Sequence, residues 1–198
     1  MKYGEVDFAA FVVGKCPLCG QRECLRQITP YSRGFIELFP WGNGEVLVAR
    51  FLCRKLKLTV SLLPVELAPY HRYTLRSILL ALLLFHAVWG DPSCTLEDVW
   101  SKLPLDSNVT VYLLRYWLGE VLRGLRRAHD HLCRWYDLSD IQSGVGLSGR
   151  LRELHSYFHT CKIRGPPDGN AAVADLATGY SRSTKCFLVG RTSQERKS

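Results

Sequence analysis

The sequence contains no apolar stretch long enough to cross a lipid bilayer. Its longest apolar run, Ile78–Trp89, has 12 residues, whereas a membrane-spanning helix needs about 20. Residues 1–8 include acidic side chains and no uninterrupted apolar segment of the signal-peptide type. We therefore expect a cytoplasmic protein that is neither exported nor held in a membrane.

Signatures of catalysis are also missing. The glycine-rich and serine-rich segment 140–149 lacks the Gly-Lys-Ser/Thr ending of a phosphate-binding loop. A transposase or nuclease needs clustered carboxylates to hold two metal ions. After the helical region only Glu153, Asp168, Asp175 and Glu195 remain, in a segment of about 60 residues without evident strands. We therefore expect no enzymatic activity.

What the sequence does contain is enough apolar material for one or two folded domains. Of its 198 residues, 47% are hydrophobic and 22% are charged, which excludes a disordered chain. The net charge of +8 is uneven, because residues 1–64 carry +4, residues 65–140 carry −1 and residues 141–198 carry +5. A basic protein suits an anionic partner, but such a charge also serves solubility. Charge alone therefore identifies no function.

The eight cysteines favour metal binding over disulfides, because their spacing is uneven and no export signal precedes them. Cys16 and Cys19 lie in the sequence Cys-Pro-Leu-Cys-Gly, and two cysteines at this spacing can turn both sulfurs toward one zinc ion. A redox pair of the thioredoxin type needs a helix directly after the second cysteine, whereas Gly20 and strand-like segments follow here. Unliganded thiols are the other alternative. The motif predicts half of a zinc site.

The second half of this site is incomplete in the sequence. Cys53 ends a strand-like segment, but Leu56 stands where a fourth ligand is expected, and leucine cannot bind zinc. Cys24 and His71 are the candidate substitutes. We therefore predict that zinc is the cofactor and that its ligands are Cys16, Cys19 and Cys53, with Cys24 as the fourth.

Patterning predicts an α+β fold, in which a small antiparallel zinc-ribbon sheet precedes a mainly helical helix-turn-helix domain. Residues 35–39, 45–52 and 58–62 have the composition of strands. Thr74 and Thr95 are expected to cap the first two helices. The predicted helices cover residues 74–89, 95–103 and 109–136. A long helix, a short helix, a turn and another helix are the order of a helix-turn-helix.

These elements divide the chain into three parts. Residues 1–64 are predicted as the zinc-ribbon-like domain, residues 65–140 as the helix-turn-helix-like domain, and residues 141–198 as a linker, a helix and a basic tail. Within the last part, a loop over 140–149 is expected before a helix over 151–162, and a short helix over 171–177.

A helix-turn-helix reads the major groove of double-stranded DNA with the first turns of its recognition helix. Here those turns would present Asn108, Thr110, Val111 and Arg115 to the bases. Further DNA contacts are predicted from basic side chains of the ribbon and of the long helix: Arg50, Arg54, Lys55, Lys57, Arg123, Arg126 and Arg127. The alternative is a three-helix bundle whose arginines form a solvated face. Trp117 and Trp135 are expected in the core rather than as platforms for bases.

Two histidines, His155 and His159, have the spacing of metal ligands on one helix face, and Cys161 follows them. No glutamate follows His155 in the manner of a zinc protease. Ordinary helix packing or surface exposure is the interpretation we favour over a second metal site.

Four segments carry a resemblance to a known family: the Cys-Pro-Leu-Cys-Gly motif, residues 50–54, residues 59–64 and residues 69–73. Over about residues 10–120, the chain resembles a bacterial family of small, functionally uncharacterised, transposon-associated proteins. In these proteins a zinc ribbon precedes a helix-turn-helix region, as in the N-terminal segments of some transposases. Leu56 is a departure, because the family has a cysteine at that position.

The resemblance implies DNA binding connected with mobile elements. Together with the missing catalytic signatures and the helix-turn-helix pattern, it leads us to expect a non-catalytic protein that binds double-stranded DNA, in connection with a mobile element or with transcriptional regulation. Two alternatives stay open, namely a protein-interaction adaptor and an accessory subunit of a transposase. A homodimer or a complex with a transposase is compatible with either.

Overall fold

The computed structural model describes residues 16–64, 66–89, 98, 101–104 and 107–161, together with residues 176, 180 and 188. Most of the helix expected over 95–103, with its Thr95 cap, lies outside these residues. So do nearly all of the helix expected over 171–177 and the C-terminal tail. The complete helix-turn-helix therefore stays a prediction.

The described residues form two compact units, and each has a core of its own. Residues 16–35 and 43–64 make up one, which we call the cysteine unit; residues 36–42 and the described residues after 65 make up the helical unit. The break after residue 64 coincides with a predicted boundary, whereas the grouping of residues 36–42 with the helices was not predicted and no break falls at 140. The turn between the first two strands groups with the helices because Leu38 lies in their apolar core.

The fold begins with a three-stranded antiparallel sheet in the order β1-β2-β3, formed by β1 (Leu25–Leu38), β2 (Trp41–Cys53) and β3 (Thr59–Leu62). In the pairing of β2 with β3, Ala49 lies opposite Leu62. β1 begins well before the predicted strand at 35–39. The first half of β1 is polar and contains Pro30, so its composition does not indicate a strand. Because β1 lies at the edge of the sheet, it tolerates this proline.

Helices follow the sheet, so the α+β prediction is confirmed. In the described part of the chain they are α1 (Leu75–Trp89), α2 (Val111–Leu132) and α3 (Gly146–Thr160), and each packs against the other two. No helix among the described residues is both long enough and apolar enough to pass through a bilayer.

The start of α1 agrees with the sequence-based prediction. The backbone N–H of Ser77 donates to Oγ1 of Thr74 at 3.2 Å, which is the expected cap. The Thr74 and Ser77 hydroxyls donate to the carboxylate of Glu37, each at 2.8 Å. A negative charge from the end of β1 thereby stabilises the positive end of the helix.

The other two helices differ from their predicted bounds. α2 ends at Leu132, before the predicted end at 136, and α3 starts at Gly146, before the predicted start at 151. A Cβ atom on Gly144 would lie 2.0 Å from the carbonyl oxygen of Gly149, so this backbone approach requires glycine. The glycine content that predicted a loop therefore partly reflects the close packing where α3 starts.

Aromatic residues from separate segments fill the core of the helical unit. Trp117 is 1% exposed, and its ring meets the ring of Tyr73 edge-on with centroids 4.9 Å apart. Tyr157 and Phe158 of α3 are also buried, so the segment after residue 140 contributes to the core. Trp135 was expected in the core but is 52% exposed, because it lies beyond the end of α2.

Candidate metal centre and basic surfaces

The first cysteine motif folds into a tight turn. The backbone N–H of Cys16 donates to the carbonyl of Gln21 at 2.9 Å, and the N–H of Gly20 donates to the carbonyl of Cys16 at 2.8 Å. Gly20 has a φ of 72°, which the chain needs to turn back at this point. The turn holds Cys16 and Cys19 on the same side.

The second turn repeats this hydrogen-bond pattern. The N–H of Cys53 donates to the carbonyl of Leu58 at 2.8 Å, and the N–H of Lys57 donates to the carbonyl of Cys53 at 2.8 Å. Lys57 has a φ of 57° and so corresponds to Gly20. In this alignment Cys53 matches Cys16, and Leu56 matches Cys19. The second turn therefore keeps the backbone of a metal-binding knuckle and lacks its second sulfur.

Cys24 supplies the missing sulfur. Its carbonyl accepts a hydrogen bond from the backbone N–H of Arg54 at 2.9 Å, which fixes the start of β1 against the second turn. The Sγ atom of Cys24 lies 3.3 Å from that of Cys19 and 3.9 Å from that of Cys53. The Sγ atoms of Cys19 and Cys53 are 3.7 Å apart.

These four cysteines together form a candidate metal site. The Sγ atoms of Cys16, Cys19, Cys24 and Cys53 all lie within 4.8 Å of one another. A disulfide would bring two sulfurs to about 2.05 Å, and all four cysteines are free. The fourth ligand was the weakest point of the prediction, and the fold brings Cys24 into that place.

The surroundings of the sulfurs favour thiolates at some positions and oppose them at others. Burial opposes ionisation of the Cys16 thiol, but backbone N–H groups of Cys19 and Leu18 outweigh it and lower the pKa of Cys16 to about 7. Burial raises the pKa of Cys24 above its ordinary value. The N–H of Leu56 lies 3.4 Å from Sγ of Cys53, so the second turn also directs a donor at its sulfur. A bound cation would favour the thiolate at every position.

The other candidate for the fourth ligand, His71, belongs to the helical unit, where its ring centroid lies 5.8 Å from that of Tyr116. Among the described residues, the four cysteines are the one cluster of potential ligands close enough to hold a metal ion. His155 and His159 are exposed, and His155 stacks on His86 with centroids 4.4 Å apart. Cys161 is buried with 1% exposure. The favoured interpretation of these histidines as packing or surface residues agrees with this arrangement.

Basic side chains are prominent in the cysteine unit. Arg54, Lys55 and Lys57 of the second turn are exposed, and the Arg50 guanidinium lies 5.7 Å from the centre of the Tyr31 ring. Residues 16–35 and 43–64 contain seven basic residues and two acidic ones. The cysteine unit therefore has a net positive charge.

The residues predicted to contact bases lie at the beginning of α2. Thr110 caps the helix by accepting a hydrogen bond from the N–H of Leu113 at 3.2 Å, so its hydroxyl is already used within the chain. Asn108 and Arg115 are exposed, and Val111 is half-buried. Three of the four predicted side chains are therefore exposed, namely Asn108, Thr110 and Arg115.

The arginines farther along α2 are engaged inside the helical unit. Arg123 pairs with Glu120 at 2.5 Å, and Arg126 donates two hydrogen bonds to the carboxylate of Glu153 at 2.7 and 2.5 Å. The guanidinium of Arg127 donates a hydrogen bond to the carbonyl oxygen of Leu188 at 3.5 Å. We predicted all three arginines as DNA contacts, and their side chains now have structural partners.

Sequence reasoning missed two features of the helical unit. Glu153 is buried on α3, and no local pattern could reveal that Arg126 would reach it from another helix. Tyr112 and Tyr116 are 81% and 43% exposed, and their spacing of four residues on α2 could have revealed a shared face.

No protein-family model, curated protein or solved structure matches this chain. The function must therefore be argued from the residues themselves.

Proposed function

We propose that the four cysteines bind a structural zinc ion. Zinc held by four thiolates at about 2.3 Å places neighbouring sulfurs about 3.8 Å apart. The measured Sγ distances of 3.3, 3.7 and 3.9 Å lie around this value. Four protein ligands leave no coordination position for water or substrate, so the ion would serve stability and not catalysis. It would join both turns to the start of β1.

We further propose that the protein binds double-stranded DNA. The observation that supports this most is the charge of the cysteine unit, with seven basic residues against two acidic ones. Four thiolates around a dication add about two negative charges, which still leaves the unit positive. Exposed lysine and arginine side chains bind DNA phosphates and release the counterions held there. Arg54, Lys55 and Lys57 are exposed, and we assign this role to them.

Base contacts would come from the start of α2. Asn108 and Arg115 are exposed there, and amide and guanidinium groups can form paired hydrogen bonds with base edges. The resemblance to transposon-associated proteins agrees with this division of labour. It connects the proposed DNA binding with a mobile element.

An adaptor that binds another protein is the competing function. It is favoured by apolar side chains left in solvent on the cysteine unit, since Leu18, Leu56 and Leu58 are 38%, 43% and 55% exposed. Exposed apolar groups of this kind can bind a protein partner. The test of DNA binding separates these two functions.

The test is a salt titration of binding to a fluorescent random-sequence duplex. The logarithm of the affinity should fall linearly with the logarithm of the salt concentration. In the double variant Arg54→Ala/Lys55→Ala, we expect this slope to be smaller by about two, because each phosphate contact contributes about 0.9. Zinc content, measured on the same sample, should be unchanged.

The matched control is Arg134→Ala/Arg152→Ala, which removes two exposed arginines from the helical unit. This variant should keep the slope of the unmodified protein. Equal slopes for all three proteins would contradict phosphate binding by the second turn. No binding at about 50 mM salt would contradict DNA binding altogether and favour the adaptor.

A further inference from the structure

One exposed surface of the helical unit combines aromatic rings with positive charge. It consists of the segment 70–72 and the outer face of the first turns of α2, which carries Tyr112, Arg115 and Tyr116. We call it the tyrosine face. Its chemistry extends beyond the contacts proposed above.

A buried set and an exposed set of contacts join the segment around residues 70–73 to the start of α2. On the inside, the ring of Tyr73 packs against Trp117 of α2 with centroids 4.9 Å apart. The Tyr73 hydroxyl also donates to the carbonyl of Ser107, just before α2. On the outside, the ring of His71 lies 5.8 Å from that of Tyr116, with an angle of 34° between the planes. Segment 70–72 and the start of α2 therefore form one continuous surface.

The rings of this face are unusually open to solvent. Tyr112 is 81% exposed, Tyr70 is 72% exposed and Tyr116 is 43% exposed. Tyr112 and Tyr116 are four residues apart on a helix, so both rings lie on the same side. Aromatic rings are normally buried, and several of them exposed together indicate a surface that binds a partner.

The positive charge of the tyrosine face indicates which kind of partner it binds. The described segments 67–76 and 107–119 contain no acidic residue, whereas Arg72 and Arg115 are exposed on them. The start of α2 adds the partial positive charge of a helix N-terminus. A partner that fits must offer both negative charge and flat apolar surfaces, and nucleic acid offers them as phosphates and bases.

Bases inside a duplex are stacked on one another and must be unstacked before they can stack on protein rings, whereas unpaired bases can stack without this cost. We propose that the tyrosine face binds unpaired nucleotides, with Tyr112 and Tyr116 stacking on bases and Arg72 contacting phosphates. This inference rests on the proposed function for the duplex part of the ligand. It adds a single-stranded part, such as a strand extension or a melted end.

The experiment compares three fluorescent probes: a blunt duplex, the same duplex with a single-stranded extension of about ten nucleotides, and the extension alone. The unmodified protein should bind the extended duplex about tenfold more tightly than the blunt one, because stacking adds to phosphate contacts. In Tyr112→Ala/Tyr116→Ala this preference should disappear while the affinity for the blunt duplex stays the same.

Two further variants separate stacking from structural damage. Tyr112→Phe/Tyr116→Phe keeps both rings and should keep the preference for the extension. Trp135→Ala removes an exposed ring from outside the face and should have no effect. If the alanine double variant unfolds early in thermal melting, Tyr112→Ala alone takes its place, since that side chain is largely in solvent.

Each outcome has a distinct meaning. Equal binding of the blunt and extended duplexes by the unmodified protein would overturn the inference and leave the proposed function standing. A preference that survives alanine substitution would overturn the role of these rings. Binding of the single strand without any binding of the blunt duplex would contradict the proposed function and support the tyrosine face.

Discussion

Leu56 occupies the place in the second turn that Cys19 occupies in the first. The hydrogen bonds that shape both turns are the same, and Lys57 adopts the positive φ that Gly20 adopts in the first turn. A knuckle backbone thus persists without its second ligand, and a sulfur from the start of β1 takes over. The ligand set is defined by where Cys24 is held and not by the spacing within the second turn.

Replacement of Cys24 tests this exchange of ligands. Cys24→Ser should weaken zinc binding by roughly 100-fold, because the 10–16 kcal/mol of a structural zinc site is shared among four ligands. Adding Leu56→Cys to this variant should restore most of the affinity, since position 56 matches Cys19 in the turn. Competition with a chromophoric chelator measures both constants.

Cys133→Ser is the control for this prediction, because Cys133 is an exposed cysteine outside the cluster. It should bind zinc like the unmodified protein. Full zinc affinity in Cys24→Ser would show that Cys24 is not a ligand. Failure of Leu56→Cys to restore binding would show that the two turns are not equivalent.

At the scale of elements, α3 is joined to α2 by an ion pair with one buried partner. The Glu153 side chain is 1% exposed and accepts two hydrogen bonds from Arg126, whose side chain is 44% exposed. The backbone N–H of Gly144 donates a third hydrogen bond at 2.8 Å. One carboxylate therefore holds both α2 and the chain segment before α3.

Ionisation of Glu153 should stabilise the helical unit. Burial raises the pKa of Glu153, but the bonds from Arg126 and Gly144 outweigh burial and hold this pKa below its ordinary value. Because the pKa is lower in the folded state, the stabilisation is complete above the ordinary value of 4.5. It is lost as the pH falls through the lowered pKa.

Glu153→Gln removes this charge and should reduce the free energy of unfolding by about 1.5–3 kcal/mol at neutral pH. The difference from the unmodified protein should shrink as the solution is acidified, because protonation also removes the charge. Urea denaturation followed by tryptophan fluorescence at several pH values measures it. Asp130→Asn, at an exposed position on α2, is the control and should change stability little. A difference that does not depend on pH would contradict the assignment.

At the scale of the whole molecule, two cores of different chemistry stabilise the chain. The larger core consists of apolar and aromatic side chains of the helical unit, whereas the smaller one consists of cysteines. All five tryptophans of the sequence lie outside residues 16–35 and 43–64, so tryptophan fluorescence reports on the helical unit alone. In the described residues of the cysteine unit the apolar core is much smaller, so the proposed zinc ion would supply much of its stability.

Removal of zinc should therefore affect the two units differently. After treatment with a chelator, amide hydrogens of β3 and the second turn should exchange at least about 100-fold faster, because metal binding supplies the folding energy there. Thermal unfolding followed by tryptophan fluorescence should keep its midpoint. Hydrogen exchange with mass spectrometry measures the first effect on the same sample. A chelator that lowered the midpoint as well would show that the two units unfold together.

Features that depend on neighbours along the chain could be predicted well. The apolar run of α1 and its Thr74 cap were correct, because helix periodicity and capping act over a few residues. The Cys16 and Cys19 pair was found for the same reason. Errors occurred where a signal was weak or had a second cause: the polar first half of β1 was not predicted as a strand, and the glycines before α3 permit close packing.

A basic α+β chain, a cysteine knuckle near its beginning and an apolar helix near its middle could all be predicted from the amino-acid sequence. Composition and short-range spacing are sufficient for these properties. The folded chain was needed to reveal that Cys24 lies beside Cys53, which is 29 residues away, and that Arg126 pairs with Glu153. It was also needed to reveal that segment 70–72 meets the start of α2. Such contacts depend on how strands and helices pack, and packing brings together residues whose positions along the chain carry no signal of their proximity.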